Sequence, residues 1–306
     1  MVKMSLIQDL RITTLADNLV QIGGIGQGGL SFLLELTDAK GDSRKLIFDT
    51  SDNREALMHN IKRLKADLSD VDCVVLSHGH HDHTAATVEV VAAAGGGVKI
   101  HAHPHTFLQR FFESKKGRRR EIGVPNEEGL EEIEKVGGKV LLTAKPTEVI
   151  PGVWTTGQVE RMTTFEHVLS LSEKERLIII VDGEEIEDRI LDDQALWMDV
   201  NGIGPFVVTG CAHAGLVNTL LQVKRIGHFS KIQGLVGGTH LVWRSEEYLE
   251  QTIGELKEFE LGLISPCHCT GFKAMAKLWQ AFPDAFVLNF CCRVIEAGKE
   301  PERRVI

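Results

Sequence analysis

Long apolar runs, an excess of basic residues and a regular cysteine framework are all absent from this sequence. The apolar stretches fall short of the roughly 18 residues of a membrane span, so we expect neither a span nor a secretory leader. The 34 basic and 43 acidic side chains give a formal net charge of −9, which argues against nucleic acid as a partner. The six cysteines do not space out as a disulfide framework, which favours reduced thiols in the cytoplasm.

The rest of the composition is that of an ordinary globular protein. Hydrophobic residues make up 43% and charged residues 25% of the 306 positions, which is enough to bury a sizeable core. This length allows one large domain or two smaller ones. No linker rich in proline, glycine or serine divides the chain, and no repeat of roughly 20–50 residues is visible. We therefore predict a single domain over residues 1–306.

The strongest chemical signal is a cluster of metal-binding side chains directly after the apolar run Val74-Val75-Leu76. The cluster consists of His78, His80, Asp82 and His83. Its spacing fits neither the two-residue period of a strand nor one face of a helix, which favours a tight loop. Imidazole and carboxylate together suit zinc, iron or manganese. The alternative is a solvated histidine-rich loop, but the apolar run before it indicates a rigid, buried support.

His78 to His83 match the pattern HxHxDH, and through this motif the chain resembles the metallo-β-lactamase superfamily. The resemblance implies an α/β fold of the αββα sandwich type, with two mixed β-sheets packed face to face and helices outside. It implies that His78 and His80 bind one metal, and that Asp82 and His83 bind another. It also implies two divalent ions, zinc first, with iron, manganese or magnesium as alternatives. Asp82 is expected to accept the proton of the attacking water as well.

Other segments correspond to further elements of that superfamily. Asp49, in Asp-Thr-Ser, resembles the Asp-Thr-Gly element whose aspartate orients a metal ligand. Many members carry a third metal histidine in a Gly-His-Thr turn, but the corresponding segment 157–166 has no histidine. The missing imidazole must therefore come from elsewhere. His213 is the candidate, and a helix-capping histidine is the alternative.

Cys211 and His268 extend the resemblance towards the carboxyl end. Many members have Thr-Gly-Asp with an aspartate that bridges two metals, where this chain has Thr-Gly-Cys ending at Cys211. Cys211 is either a thiolate ligand or a plain core thiol, and both alternatives stay open. His268 matches the last metal histidine. In an extended segment the flanking Cys267 and Cys269 would point away from it.

The remaining histidines allow weaker predictions. His240 follows a predicted strand and is expected to line the pocket or to act as an acid or base. His101, His103 and His105 alternate and resemble a second metal motif. Because one metal loop, His78 to His83, already exists, we favour hydrogen-bonded roles for these three, with lining of the pocket as an alternative ahead of direct metal ligation.

One short segment is strongly basic in this acidic protein. It contains Lys115, Lys116, Arg118, Arg119 and Arg120. A solvated surface loop is one interpretation. The other is a mobile flap that binds an anionic substrate, such as a phosphate or carboxylate.

The proposed chemistry follows from a pair of metals about 3.5–4 Å apart, which can hold a hydroxide and stabilise a leaving oxygen. Such a site suits hydrolysis of a small phosphate- or diphosphate-bearing substrate. Five motifs also resemble a narrower branch, that of 7,8-dihydropterin-6-methyl-4-(β-D-ribofuranosyl)-aminobenzene-5′-phosphate synthase. They are Leu76–Ala86, Asp192–Trp197, Thr209–Leu220, Gly237–Leu241 and Cys267–Gly271.

The narrower resemblance implies a transferase that releases diphosphate in tetrahydromethanopterin biosynthesis. Three alternatives are thus open: a metal-dependent hydrolase, this transferase, and a non-catalytic metal or redox protein. Diphosphate release that needs an amine acceptor would mark the transferase, and redox-active iron without turnover would mark the third. No membrane partner is expected, and the oligomeric state is open.

Overall fold

The computed structural model describes residues 5–166 and 175–298. Seven strands form its first sheet. In spatial order they are β17 (Val294–Gly298), β1 (Asp9–Ala16), β2 (Ser31–Thr37), β3 (Ser43–Phe48), β4 (Cys73–Val75), β5 (Lys99–Ala102) and β8 (Lys139–Leu142). The pairs from β17 to β3 are antiparallel and those from β3 to β8 are parallel, so the sheet is mixed.

A second mixed sheet has six strands. In spatial order they are β16 (Leu263–Cys267), β15 (Gly234–Gly238), β14 (Gly204–Thr209), β13 (Ala195–Val200), β10 (Val153–Thr155) and β9 (Thr147–Ile150). Strands β14, β15 and β16 are parallel, and the others pair antiparallel. The carboxyl ends of β14, β15 and β16 therefore lie at one edge, where several of the predicted site residues follow.

Seven α-helices accompany these strands in the described residues. They are α1 (Arg54–Leu64), α2 (His81–Thr84), α3 (Thr87–Ala93), α4 (Leu130–Lys135), α5 (Leu216–Gly227), α6 (Glu246–Lys257) and α7 (Phe272–Ala281), with 3-10 turns at Asn126–Glu128 and His268–Thr270. Polar side chains cap the N-termini of two of them: Asn53 accepts from the Ala56 amide at the start of α1, and Ser245 accepts from the Tyr248 amide at the start of α6, which satisfies amides that have no partner within the helix. None of these helices is long and apolar enough to cross a membrane.

The two large sheets pack face to face because successive residues of a strand point to opposite faces. A buried cluster between them includes Leu34, Phe48 and Val75 from the first sheet and Leu196, Phe206 and Val236 from the second. Each such side chain contributes roughly 1.5–3 kcal/mol when fully buried.

The outer faces of both sheets are covered by helices. On the first sheet, Leu33 and Ile47 share a cluster with Leu57 of α1 and Val90 of α3. On the second sheet, the cluster includes Val207, Leu235, Leu220 of α5, Leu249 of α6 and Leu278 of α7. The order helix, sheet, sheet, helix confirms the predicted αββα sandwich.

A third, smaller sheet was not predicted. Its four antiparallel strands are, in order, β12 (Glu184–Glu187), β11 (Arg176–Val181), β6 (Arg110–Glu113) and β7 (Arg119–Glu121). All residues of β7 and β12 are exposed, so neither strand shows the alternation of apolar and polar residues that marks a strand in a sequence. The basic segment is thus a β-hairpin of this sheet, formed by β6 and β7.

Candidate metal centre

The first candidate ligand group joins two histidines of the loop after β4 to one histidine after β14. The ligand atoms of His78, His80 and His213 all lie within 4.8 Å of one another. His78 Nε2 and His80 Nδ1 are 3.0 Å apart. The His213 ring centroid lies 4.7 Å from that of His78 and 4.9 Å from that of His80. The structure thus brings His213 to the place where the missing imidazole was sought.

The second candidate group contains a carboxylate and two imidazoles. Asp82 and His83 lie in α2, and His268 begins the 3-10 turn after β16. Asp82 Oδ2 is 3.5 Å from His268 Nε2 and 3.8 Å from His83 Nε2. The ring centroids of His83 and His78 are only 4.3 Å apart, so the two groups are adjacent.

Cys211 lies between the two groups. Its Sγ is 3.2 Å from His83 Nε2. It forms candidate groups with His78 and His83, and also with His213 and His240. This is the arrangement expected of a side chain that contacts both metal positions, although its role as a ligand stays a prediction.

Burial sets the protonation of the first group. It lowers the pKa of His78 and His213 well below the usual imidazole value and that of His80 to about 3. A neutral imidazole keeps a lone pair for a metal. Burial also lowers the pKa of His83, but the carboxylates of Asp49 and Asp82 outweigh it and raise that pKa to about 9. Without a metal, the second group thus combines opposite charges, and a metal bound there would displace the proton of His83.

Asp49 connects both groups, because its carboxylate contacts a residue of each. Its Oδ2 accepts from His83 Nδ1 at 2.7 Å and from Ser77 Oγ at 2.7 Å, and its Oδ1 accepts from the Ser77 amide at 2.7 Å. Ser77 Oγ lies 2.9 Å from His78 Nδ1. These contacts turn Nε2 of both histidines towards the centre, as a carboxylate beside a metal histidine commonly does.

The segment Asp192–Gln194 supports the metal loop from the second sheet, a role that sequence analysis missed. Asp192 Oδ2 accepts from the Gly79 amide at 2.7 Å. Gln194 Nε2 donates to the carbonyl of Leu76 at 2.9 Å. Asp193 Oδ2 accepts from the Ala214 amide at 2.9 Å, beside His213. The Asp-Asp-Gln motif itself is visible in the sequence. Its hydrogen-bond partners are distant in the chain, so the sequence does not show what the motif supports.

Strained backbone accompanies the site. Ala212, His240 and His268 all have φ between 50° and 57°, a left-handed conformation that costs non-glycine residues about 1–3 kcal/mol each. At His268 this conformation breaks the alternation of an extended chain. As a result, Cys267 joins the core between the sheets, whereas Cys269 faces the cavity. The expectation that both cysteines point away from the site was therefore wrong for Cys269.

Gly210, directly after β14, packs closely against Ser77 beside the metal loop, which allows a direct test. In Gly210→Ala, the added Cβ would overlap Ser77 Oγ and lie 2.9 Å from Asp49 Oδ2. We expect a loss of about 1–3 kcal/mol in the free energy of unfolding, together with weaker metal binding. Denaturant unfolding measures the first effect and metal titration the second.

Gly254 of α6 provides the matched control. It is exposed, and nothing lies within 4 Å of the position of its missing Cβ. Gly254→Ala should therefore raise stability by about 0.5–1 kcal/mol. Equal effects of the two substitutions would contradict the packing argument.

A cavity of about 630 Å³ opens onto the ligand groups. In addition to candidate ligands, the aromatic residues Phe112 and Trp243 and the cationic residues Arg120 and Arg244 line the cavity. His240 also lines it, with its ring centroid 4.1 Å from that of His213 and 5.2 Å from that of Trp243. The cavity thus combines aromatic walls with two guanidinium groups, and the carboxylate residue Glu175 lines it as well.

The basic hairpin contributes one residue, Arg120, to this cavity. Arg119 Nη1 instead forms a 2.6 Å ion pair with Glu185, and its guanidinium lies 3.9 Å from the Phe111 ring centroid. Lys115, Lys116 and Arg118 occupy the exposed turn between β6 and β7. The predicted binding segment is therefore divided between cavity and surface.

His101, His103 and His105 belong to none of the candidate metal groups of the described residues. His103 Nδ1 accepts from the His105 amide at 3.1 Å, and His103 Nε2 lies 3.4 Å from Gln158 Oε1. These contacts agree with the hydrogen-bonded roles that were favoured for His103 and His105. Neither ring nitrogen of the buried His101 has a hydrogen-bond partner among the described residues, so the hydrogen-bonded role was wrong for His101. The three histidines are not among the residues that line the cavity.

The donor set fits divalent transition metals. Neither ring nitrogen of the buried His213 has a hydrogen-bond partner among the described residues, which is unusual for a buried polar group and expected of a metal ligand. Five imidazoles around one carboxylate and a thiol suit zinc or iron better than magnesium.

Comparison with known proteins agrees with the fold. The sequence model of the metallo-beta-lactamase superfamily matches residues 26–161, and the chain belongs to this superfamily. Its members generally bind divalent metal ions.

Two proteins of Methanocaldococcus jannaschii are similar over most of their length. One is 7,8-dihydropterin-6-methyl-4-(beta-D-ribofuranosyl)-aminobenzene-5'-phosphate synthase, 29% identical over 92% of this chain and 94% of the relative. The other is uncharacterized and 30% identical over 88% of this chain and 94% of the relative. The superfamily and the named relative identify the chain as an enzyme, so the non-catalytic alternative is not retained.

Among solved structures, Tm1679, a metal-dependent hydrolase of the beta-lactamase superfamily, superposes with a TM-score of 0.73 at 22% identity. The match covers 95% of this chain and 100% of that one. This similarity supports the fold.

Proposed function

We propose that this chain is a two-metal enzyme that hydrolyses a small phosphate- or diphosphate-bearing molecule. The observation that supports this most directly is the adjacency of the two ligand groups, with Cys211 between them and one cavity in front of both. When bound there, a pair of divalent ions supplies Lewis acidity towards a phosphoryl oxygen and activates water at neutral pH.

The protein's own residues would perform the remaining steps. Burial raises the pKa of Asp82, but the surrounding imidazoles, His83 first, lower it to about 2, so its carboxylate is ionised. Asp82 lines the cavity, where its carboxylate would lie beside the attacking water and accept its proton. His240 lies at the cavity wall, and its Nδ1 has no partner among the described residues. It is placed to donate a proton to the leaving oxygen. Arg120 and Arg244 would hold the negative charge of the substrate.

Metal content and turnover test this proposal together. Protein purified without chelator should contain about two metal equivalents and should hydrolyse bis-p-nitrophenyl phosphate or a diphosphate ester, with activity lost on chelation. His213→Ala should lose metal and turnover. His59→Ala, an exposed position in α1, should change neither. Full metal content in His213→Ala would contradict the first ligand group.

A second test concerns the basic hairpin. Arg120→Ala should raise KM for an anionic substrate about tenfold or more, because a hydrogen bond to a charged group contributes about 1.5–3 kcal/mol. Lys115→Ala changes the same kind of charge at the exposed turn and should leave KM unchanged. An equal rise in both variants would indicate general electrostatic attraction instead of a contact by Arg120.

The second candidate function is the synthase reaction, which the similarity to the archaeal synthase along nearly the whole chain favours. In that case diphosphate leaves a methylene carbon, the nitrogen of an aromatic amine forms the new bond, and the amine proton is released. Trp243 and Phe112 in the cavity wall suit flat rings.

One assay separates the two candidates. The protein is incubated with a dihydropterin methyl diphosphate, with and without a ribosylated aminobenzene phosphate, and diphosphate and phosphate are quantified. Diphosphate released only with the amine identifies the transferase. Phosphate released in water alone identifies the hydrolase.

A further inference from the structure

We propose that Cys269 is a further metal ligand, so that Cys211 and Cys269 together present two sulfur atoms to the second metal position. This inference rests on the proposed two-metal site and specifies the chemistry of one of its halves. Cys269 Sγ lies 3.3 Å from Cys211 Sγ, and the two sulfur atoms and a His268 nitrogen all lie within 4.8 Å of one another.

The backbone around Cys269 is shaped to place its sulfur there. The left-handed φ of 51° at His268 turns the chain, so that His268 and Cys269 both reach the cavity. The Cys269 sulfur accepts from the His240 amide at 3.1 Å. A Cβ on Gly238 would lie 2.9 Å from this sulfur, so glycine at the end of β15 leaves the space that Cys269 occupies.

The distances agree with ligands of one ion. Zinc binds sulfur at about 2.3 Å and imidazole nitrogen at about 2.0–2.1 Å, so two atoms bound to one zinc lie at most about 4.6 Å apart. The pair of sulfur atoms lies well inside this limit, and Cys211 Sγ also contacts His83 Nε2 at 3.2 Å. The two thiols thus lie close to the imidazoles of the second group, His83 and His268.

Two thiolates in the site have a consequence for metal choice. Soft sulfur ligands select zinc or ferrous iron, whereas magnesium and manganese prefer oxygen. The second position is therefore assigned to zinc or iron, and magnesium is excluded there. The other free cysteines differ: Cys73 and Cys267 lie in the core between the sheets, and Cys291 and Cys292 are neighbours shortly before β17.

Cobalt substitution of the full-length protein tests the assignment. Cobalt(II) bound to thiolate shows charge-transfer absorption in the near ultraviolet whose intensity per metal grows with the number of thiolates. We expect this band in the wild-type protein, about twofold weaker in Cys269→Ala and in Cys211→Ala, and absent in the double variant. Cys292→Ala should retain full intensity.

A second measurement on the wild-type protein avoids any folding defect of the variants. Zinc should slow the alkylation of Cys269, read by peptide mapping, and leave the alkylation of Cys292 unchanged. An undiminished band in Cys269→Ala, or equal alkylation of Cys269 with and without zinc, would overturn the assignment. If about two metal equivalents and turnover persist without a thiolate band, Cys269 ligation fails while the proposed function stands. If the wild-type protein binds no metal, both fail.

Discussion

Asp49→Asn is expected to weaken metal binding and turnover at both positions at once. The carboxylate contacts His83 directly and reaches His78 through Ser77, so one substitution releases an imidazole of each ligand group. An amide group has only one accepting oxygen in place of two, and the contacts of Asp49 to His83 and Ser77 need both. Loss of one such orienting partner commonly lowers metal affinity or activity by about 10–100-fold, and we expect the upper end here.

Competition with a chromogenic chelator measures the affinity of both positions, and steady-state turnover measures the activity. Asp38→Asn is the matched control, since Asp38 is equally buried but fixes a remote turn through the amides of Lys40 and Asp42. That variant should lose stability without losing metal. If Asp49→Asn binds two metals with wild-type affinity, the orienting role assigned to Asp49 is wrong.

Arg110→Met is expected to lower the free energy of unfolding by about 3–5 kcal/mol, the usual effect of leaving a buried charge without its partner. Arg110 is fully buried. Its Nη2 donates to Asp192 Oδ1 at 2.6 Å and to the carbonyl of His105 at 3.0 Å, and its Nε lies 3.4 Å from Asp188 Oδ2. Methionine fills the space but leaves both carboxylates uncompensated.

The pH dependence of this loss has a definite sign. In the native protein, burial raises the pKa of Asp192, but Arg110 more than offsets it and holds that pKa below its usual value. Without the guanidinium, burial raises the pKa of the folded carboxyl above that of the unfolded chain. The loss in the free energy of unfolding should therefore be smallest in acid. It should grow as the pH rises from the lowered pKa of Asp192 in the native protein to its raised pKa in the folded variant, and stay constant above that pH.

Urea unfolding at several pH values checks both expectations for Arg110→Met. Arg54→Met removes an exposed ion pair with Glu89 and should change stability by less than about 1 kcal/mol at every pH. Similar losses in the two variants would contradict the role of Arg110 as a buried counter-charge.

The layered fold and the ligand groups were predictable to different extents. Apolar strands, and four candidate ligands within the six positions from His78 to His83, are local features that a sequence displays directly. His213 and His268 required the order of motifs along the chain. Their approach to the metal loop depends on parallel strands β14 and β16 ending at the same edge, which no local pattern specifies.

Other features depend on contacts that a sequence does not display. The third sheet escaped prediction because its outer strands bury nothing. Cys269 was assigned to the wrong side because the left-handed conformation of His268 cannot be read from residue types. The basic segment was treated as one unit. In the hairpin, the neighbouring side chains of β7 separate, so that Arg119 pairs with Glu185 and Arg120 lines the cavity.

Asp192 has a consequence for anyone who redesigns this enzyme. One oxygen of its carboxylate fixes the Gly79 amide in the metal loop, and the other fixes Arg110 at the base of the basic hairpin. A hairpin transplanted from a relative to alter substrate preference would also have to carry a guanidinium at position 110. Otherwise the graft would withdraw the support of the metal loop. With substrate binding by the hairpin and metal binding by the loop as proposed, substrate range and metal affinity could not be engineered independently.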